Sequence, residues 1–168
     1  MTRTLRAMRQ LGALLLLSVA TLSPAAAEPT IIGDKNGQDI VTVRGVGSTQ
    51  SKQKLPIFPG ISGATAGATG LSLLKVVIPP GGSAEAHVHK GYETAVYLIQ
   101  GKVETRYGEG LKKSVVNEAG DFIFIPADVP HKPTNLSETE PAIAIVARND
   151  PNEQEHVILY APDDAQSE

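Results

Sequence analysis

The chain has 168 residues, of which 41% are hydrophobic and 20% charged, the profile of one globular domain with little room for a second. It has no cysteine, which excludes disulfides and thiolate metal ligands. Its formal net charge is −3 and no basic stripe runs through it, so nucleic acid and anionic lipid are not expected partners.

Residues 1–27 read as a cleavable signal peptide. Arg3, Arg6 and Arg9 precede a short apolar run from Leu11 to Leu22, and Ala25-Ala26-Ala27 supplies a small-residue cleavage site. A run of about a dozen residues is short for a bilayer span. The expectation is therefore export to the periplasm or the exterior, with no membrane association after the leader is removed. The leader takes three of the 15 basic residues and none of the 18 acidic ones, leaving a mature chain of formal charge −6. It also takes Met1 and Met8, the chain's two methionines. Any metal in the mature protein must then be held by nitrogen and oxygen.

Residues 28–53 read as an N-terminal arm, polar as far as Asp39, with a possible strand at Ile40–Val43. Such an arm can cover a sheet edge or reach a neighbouring subunit, and a homodimer is the expected assembly. Lys54–Phe58 is a short strand candidate stopped by Pro59-Gly60, and residues 61–70 form a connecting loop of small residues.

From Leu71 onward short β-rich runs alternate with turn residues at intervals of about ten: Leu71–Ile78, Ala86–His89, Thr94–Gln100, Lys102–Tyr107, Lys113–Asn117, Asp121–Ile125, Ala142–Ala147 and His156–Tyr160. No run outside the leader has helical spacing. Strands without helices must bury their apolar faces on one another, so residues 54–161 are expected to be one all-β domain, a sandwich or barrel. In Lys102–Tyr107 the charged Lys102, Glu104 and Arg106 alternate with Val103, Thr105 and Tyr107; a solvated outer face is the expected place of the charged set, and an inner barrel face that meets a ligand is the alternative until the register is known. Residues 162–168 are an acidic tail.

Two blocks carry chemistry. The first, Gly81 to Glu93, contains His87, His89 and Glu93; the second, Gly120 to Asn135, contains His131. Residues two apart in a strand point to the same face, so His87 and His89 can meet one ion. Glu93 needs a turn at Gly91 to return to that ion, and Pro126 and Pro130 stiffen the turn that delivers His131. Three imidazoles and one carboxylate form a nitrogen-and-oxygen site suited to one divalent transition metal per chain, manganese, iron, nickel, cobalt or zinc. His156 reads as a structural or surface histidine.

These blocks resemble the two motifs of the cupin superfamily, G-x5-H-x-H-x(3 or 4)-E-x6-G and G-x5-P-x-G-x2-H-x3-N. Gly81, His87, His89, Glu93 and Gly101 fill the first; Gly120, Pro126, His131 and Asn135 fill the second. The chain is similar to small single-domain cupins of the type-2 kind, and its first motif is locally similar to pirin. The resemblance implies a cupin-type jelly-roll β-barrel, also described as a double-stranded β-helix, with a metal at its mouth held by His87, His89, Glu93 and His131.

Three departures bear on the site. Seven residues separate Glu93 from Gly101, so a register anchored on Gly101 puts Thr94 at the acidic position. The alternative acidic position of the pirin branch, two residues after the second-motif histidine, is Pro133 here. Asp128 stands where the second motif has glycine, and aspartate tolerates the left-handed turn this requires.

The function this implies is a metal-dependent, oxygenase-like enzyme acting on a small organic molecule chelated at the metal, with Glu93 as ligand or base. A non-catalytic metal- or small-ligand-binding module is the first alternative, and a sugar isomerase or epimerase the second. Tyr92, Tyr97 and Arg106 are the further side chains that could line the cavity.

Overall fold

The computed structural model describes residues 28–152, 154 and 156–162; the expected signal peptide and the acidic tail beyond Pro162 lie outside them. The first sheet is assembled from β3 (Thr49–Gln50), β4 (Pro56–Ile61), β5 (Ser72–Ile78), β7 (Thr94–Gln100), β10 (Phe122–Ile125) and β12 (Ala142–Arg148), in the order β10-β7-β12-β5-β4-β3. The second is built from β6 (His87–His89), β8 (Lys102–Tyr107), β9 (Lys113–Glu118), β11 (His131–Asn135) and β13 (Val157–Leu159), in the order β13-β6-β11-β8-β9. Every pairing is antiparallel, and the two sheets form the expected all-β jelly-roll barrel.

Period-2 patterning fixes which side chains enter. On β5, Ser72, Leu74, Val76 and Ile78 are buried and Leu73 is exposed; on β12, Ala142, Val146 and Arg148 are buried. The register aligns them across the sheet, Ala142 beside Ile78, Val146 beside Leu74 and Arg148 beside Ser72. Leu74, Val76, Ile78, Ala142 and Val146 join Leu55, Ile57, Ala84, Leu98 and Val103 in one apolar core between the sheets. Burial of each large aliphatic side chain contributes about 1.5–3 kcal/mol. On β8, Val103 and Thr105 are buried while Lys102 and Arg106 are exposed, as the alternation predicts.

Gly101 closes the β7–β8 turn at φ +95°, and a Cβ there would come within 2.9 Å of Ala142, so only glycine lets the turn pack this closely. Asp128 adopts φ 62°, the left-handed geometry expected where the motif usually has glycine. Asn135 is buried and is a structural tie: its amide nitrogen donates to the carbonyls of Ile78, Pro79 and Glu140.

Several elements differ from expectation. The arm carries a hairpin of β1 (Thr30–Ile32) with β2 (Thr42–Arg44), slightly later than the strand expected at Ile40–Val43. β3, also within the arm, joins the six-stranded sheet through β4. The small-residue loop contains a one-turn helix, α1 (Gly63–Ala66), capped by the Ser62 hydroxyl accepting from the Thr65 amide.

The largest miss is β11, a central strand with Pro133 in its middle. The Pro133 carbonyl accepts from the Ala84 amide, on the side of β11 away from β8. The proline nitrogen faces that same side, so the β8 ladder loses no bond to it. Among the described residues no helix is long and apolar enough to cross a membrane.

Candidate metal centre

His87 and His89 stand two apart on β6, and His131 lies directly opposite His87 in the β6–β11 pairing. Strand alternation turns all three inward, and all three are at most 3% exposed. Their ring centroids lie 5.1 Å apart for His87 and His89, 4.2 Å for His87 and His131, and 4.7 Å for His89 and His131. One ligand atom from each falls within 4.8 Å of the other two. Among the described residues this is the one group of three metal-ligating side chains so gathered.

Each ring is oriented from its Nδ1 side. The Nδ1–H of His87 donates to the Glu85 carbonyl at 2.8 Å, and that of His131 donates to the Val129 carbonyl at 2.9 Å. A carbonyl only accepts, so in both rings the proton sits on Nδ1 and Nε2 keeps its lone pair. His89 Nδ1 is hydrogen-bonded to the Thr94 hydroxyl, and the Tyr92 ring stacks on the imidazole at 5.1 Å with an interplanar angle of 9°.

The rings are held neutral. Burial pushes the His87 imidazole down to about 3, with the His131 and Arg148 charges adding to the effect and the Glu85 hydrogen bond opposing it. Burial likewise brings His131 down to about 4, against the hydrogen bond to Val129. His89 is pushed down by burial first, then by Arg148, His131 and His87. Neutral imidazoles have no proton for a metal to displace near neutral pH.

His89 Nε2 is buried without a hydrogen-bond partner. An unsatisfied buried polar atom costs about 1–3 kcal/mol. A transition metal bound to the three ring nitrogens would satisfy it, so the residues present fit such an ion by chemistry and by placement. Ligand hydrogen bonds of the kind seen at Glu85 and Val129 are what fix histidine tautomers in metal sites, and the Thr94 hydroxyl holds the His89 ring in place.

Glu93 is not brought to this group. It is exposed, its amide nitrogen donates to Asn149 Oδ1, and it has no place among the converging ligand atoms. The physical reason is parity: Gly91 does turn the chain, at φ +77°, but β7 begins at Thr94, which is only 1% exposed. The residue before it therefore faces out. Thr94 holds the inward position that the Gly101-anchored register assigns to the acid.

The other histidine, His156, lies apart from the three, half exposed, with its Nδ1 on Asp150 Oδ2. Tyr92 backs His89, whereas Tyr97 is 40% exposed and Arg106 lies on the outer face, so neither of the latter lines the interior.

The histidines open on a cavity with about 90 Å³ of water-accessible space between the sheets. Its walls are mostly hydrocarbon, with Val76, Leu98, Val103, Ile123 and Val146 among them, and its polar lining includes Thr94, Thr105, Gln53 and Arg148. The sequence reading missed Arg148 and Gln53. Arg148 was detectable: extending the inward positions of Ala142–Ala147 by one step reaches it. In the sheet it lies beside Thr94 on one side and Ser72 on the other. Gln53 sits on a turn just before the strand expected at Lys54–Phe58, and is buried in alternation with exposed Lys52 and Lys54.

The cupin domain family matches residues 74–148. The chain is 30% identical over 112 residues to an auxin-binding protein of Prunus persica, covering 62% of this chain and 48% of that one. It is 27% identical over 106 residues to a germin-like protein of Morus alba, with the same coverages, 62% and 48%. The chain thus spans about half the length of the curated relatives it matches.

Among solved structures, an uncharacterized Klebsiella pneumoniae protein with a double-stranded β-helix domain superposes with a TM-score of 0.55 at 18% identity, over 67% of this chain and 90% of that one. An oxalate oxidase in complex with the substrate analogue glycolate gives 0.58 at 21%, over 76% and 64%. The Lactobacillus farciminis oxalate decarboxylase gives 0.57 at 23%, over 68% and 33%. At these identities the likeness is one of fold.

Proposed function

The chain belongs to the cupin superfamily, and from that premise we propose that it binds one divalent transition metal through His87, His89 and His131 and acts on a small organic molecule held beside it, with oxygenase-like chemistry. The observation that carries this reading is the convergence of three neutral imidazoles at a cavity. Manganese, iron, nickel, cobalt and zinc all suit such donors. When bound, such a metal supplies Lewis acidity toward substrate oxygen atoms and, for iron or manganese, a redox centre. The chain's own part is to orient the three rings, through Glu85, Val129 and Thr94, and to surround the substrate with a hydrocarbon wall that limits water.

One observation favours the second reading, a non-catalytic ligand-binding module: the carboxylate expected to serve as base, Glu93, is exposed. The curated relative from Prunus persica is named for auxin binding, which is compatible with either reading of this chain. Oxygen uptake by metal-loaded protein across a panel of small acids, diols and ketones separates the two. Substrate-dependent uptake supports the enzyme, whereas ligand-raised melting temperature without turnover supports the binding module.

We further propose that residues 1–27 direct export and that the mature chain forms a homodimer. The leader pattern supports the first. Support for the second is the apolar outer face of the six-stranded sheet, where Phe122 and Phe124 are 85% and 62% exposed. Amino-terminal sequencing of the exported fraction, with Glu28 expected first, and sedimentation of the mature chain test these two proposals.

A further inference from the structure

A metal on the three rings would satisfy the buried Nε2 of His89. It would not satisfy a buried oxygen of the same cavity. Gln53 is 3% exposed, lines the same cavity as the three histidines, and its Oε1 has no hydrogen-bond partner.

This side chain stands on a tightly held turn. The Ser51 amide donates to the Leu55 carbonyl, the Leu55 amide donates to the Ser51 hydroxyl, and Lys54 takes φ 62°. The Gln53 carbonyl accepts from the Glu85 amide at 2.8 Å, and Lys54 Nζ pairs with Glu85 Oε1 at 2.7 Å. Glu85 is also the residue whose carbonyl orients His87. The turn is thus tied directly to the metal-binding strand, and the Gln53 carboxamide has a fixed station relative to it.

Packing alone does not call for an amide there. Its neighbours in the cavity wall include Leu55, Val76 and Ile78, and a hydrocarbon side chain would suit them. Buried polar groups are almost always hydrogen-bonded, and a few convergent polar groups on an apolar wall are how small-molecule cavities select their ligands.

We infer that Gln53 is a specificity-determining contact, accepting a hydrogen bond from a hydroxyl group on a small, largely apolar molecule whose other end reaches the three histidines. The inference rests on the reading above that this cavity takes a small organic molecule. It assigns the ligand class: a compact alcohol or phenol with a hydrocarbon body, as opposed to a polyanion or a sugar bearing hydroxyls on every side.

The test titrates purified protein, labelled with 15N in its glutamine side chains, against pairs of probes in which a methyl replaces the hydroxyl: phenol with toluene, cyclohexanol with methylcyclohexane, isobutanol with isopentane. The Gln53 amide signal should move with the hydroxyl member of at least one pair and stay in place with its methyl partner. Gln53→Met, close in size, should lower the hydroxyl-to-methyl affinity ratio about tenfold, the loss of one hydrogen bond, while leaving affinity for the methyl member unchanged. Gln53→Leu should behave the same way, and because the amide signal is read in the unmodified protein the test does not depend on either variant folding.

An unchanged ratio in a folded variant, a motionless Gln53 signal, or no binding by any probe overturns the inference. So does loss of metal on Gln53→Met, which would make Gln53 a metal ligand. Elemental analysis of the same samples keeps the two readings apart. Protein that takes up no metal yet keeps the Gln53-dependent ratio sinks the metal reading alone, while protein that loads metal but shows no ratio sinks this inference alone.

Discussion

The two sheets of the barrel face one cavity and bring unlike things to it. The five-stranded sheet brings three imidazoles from two short neighbouring strands, each turned to its task by a hydrogen bond on Nδ1. The six-stranded sheet brings hydrocarbon from Val76, Leu98 and Val146, and polar groups only in the row where Thr94 lies beside Arg148. One wall therefore carries the chemistry and the other carries most of the packing. If that division is real, damage to one wall should leave the other's contribution largely intact.

The largest effect expected is on the histidine side. Replacing His87 or His131 by alanine should abolish metal retention, a loss greater than the about 10–100-fold typical of changing a ligand's hydrogen-bond partner. Equilibrium dialysis followed by elemental analysis reads it. On the opposite wall, Leu74→Ala should destabilise the fold by about 2–5 kcal/mol in urea denaturation. Its folded fraction should still bind metal with the wild-type stoichiometry. Metal loss in Leu74→Ala, or severe unfolding in the metal-free histidine variants, would break the division.

Acid should act through the histidine wall. Unfolded histidine titrates at 6.5, whereas buried His87 and His131 titrate near 3 and 4. The native state therefore binds fewer protons than the unfolded state between these values, and the stability of the metal-free protein falls as pH drops from 6.5 toward 4. Above 6.5 these groups add no pH dependence. Melting temperature against pH in chelator reads this, and a flat profile through that window would show that the rings are not buried as described.

Smaller effects separate two neighbouring residues. Thr94→Val removes the hydroxyl that orients His89 and should weaken metal binding about tenfold. Glu93→Gln alters an exposed side chain, so its effect should stay within about 0.5 kcal/mol.

Much of this is legible in the sequence alone. The period-2 rhythm from Leu71 located most strands, because one buried face forces alternation on the sequence. His87-x-His89 announced a shared face for the same reason, and the charged row Lys102, Glu104 and Arg106 lies on the outer side, as its parity predicted. Glu93 was harder. It follows a glycine turn, where parity is not carried through, so the residue types alone favoured it over Thr94 although the spacing to Gly101 favoured the latter.

β11 was hidden by its own proline, because the rule against proline in central strands does not anticipate a strand bonded through one side at that point. Gln53 shares the buried parity of Ser51 and Leu55, but it is a polar residue on a turn, where parity alone does not call for burial. Its burial comes from tertiary contact between the turn at Ser51–Leu55 and Glu85, far apart in the chain.

The central claim is that three histidines, without Glu93, hold the metal. Elemental analysis of wild type, Glu93→Gln and a His87, His89, His131 triple-alanine variant, each loaded with manganese, iron, nickel, cobalt or zinc and freed of excess, tests it directly. About one ion per chain is expected for the first two and none for the third. No metal above background in the wild type under any loading, or its loss in Glu93→Gln, would contradict the account.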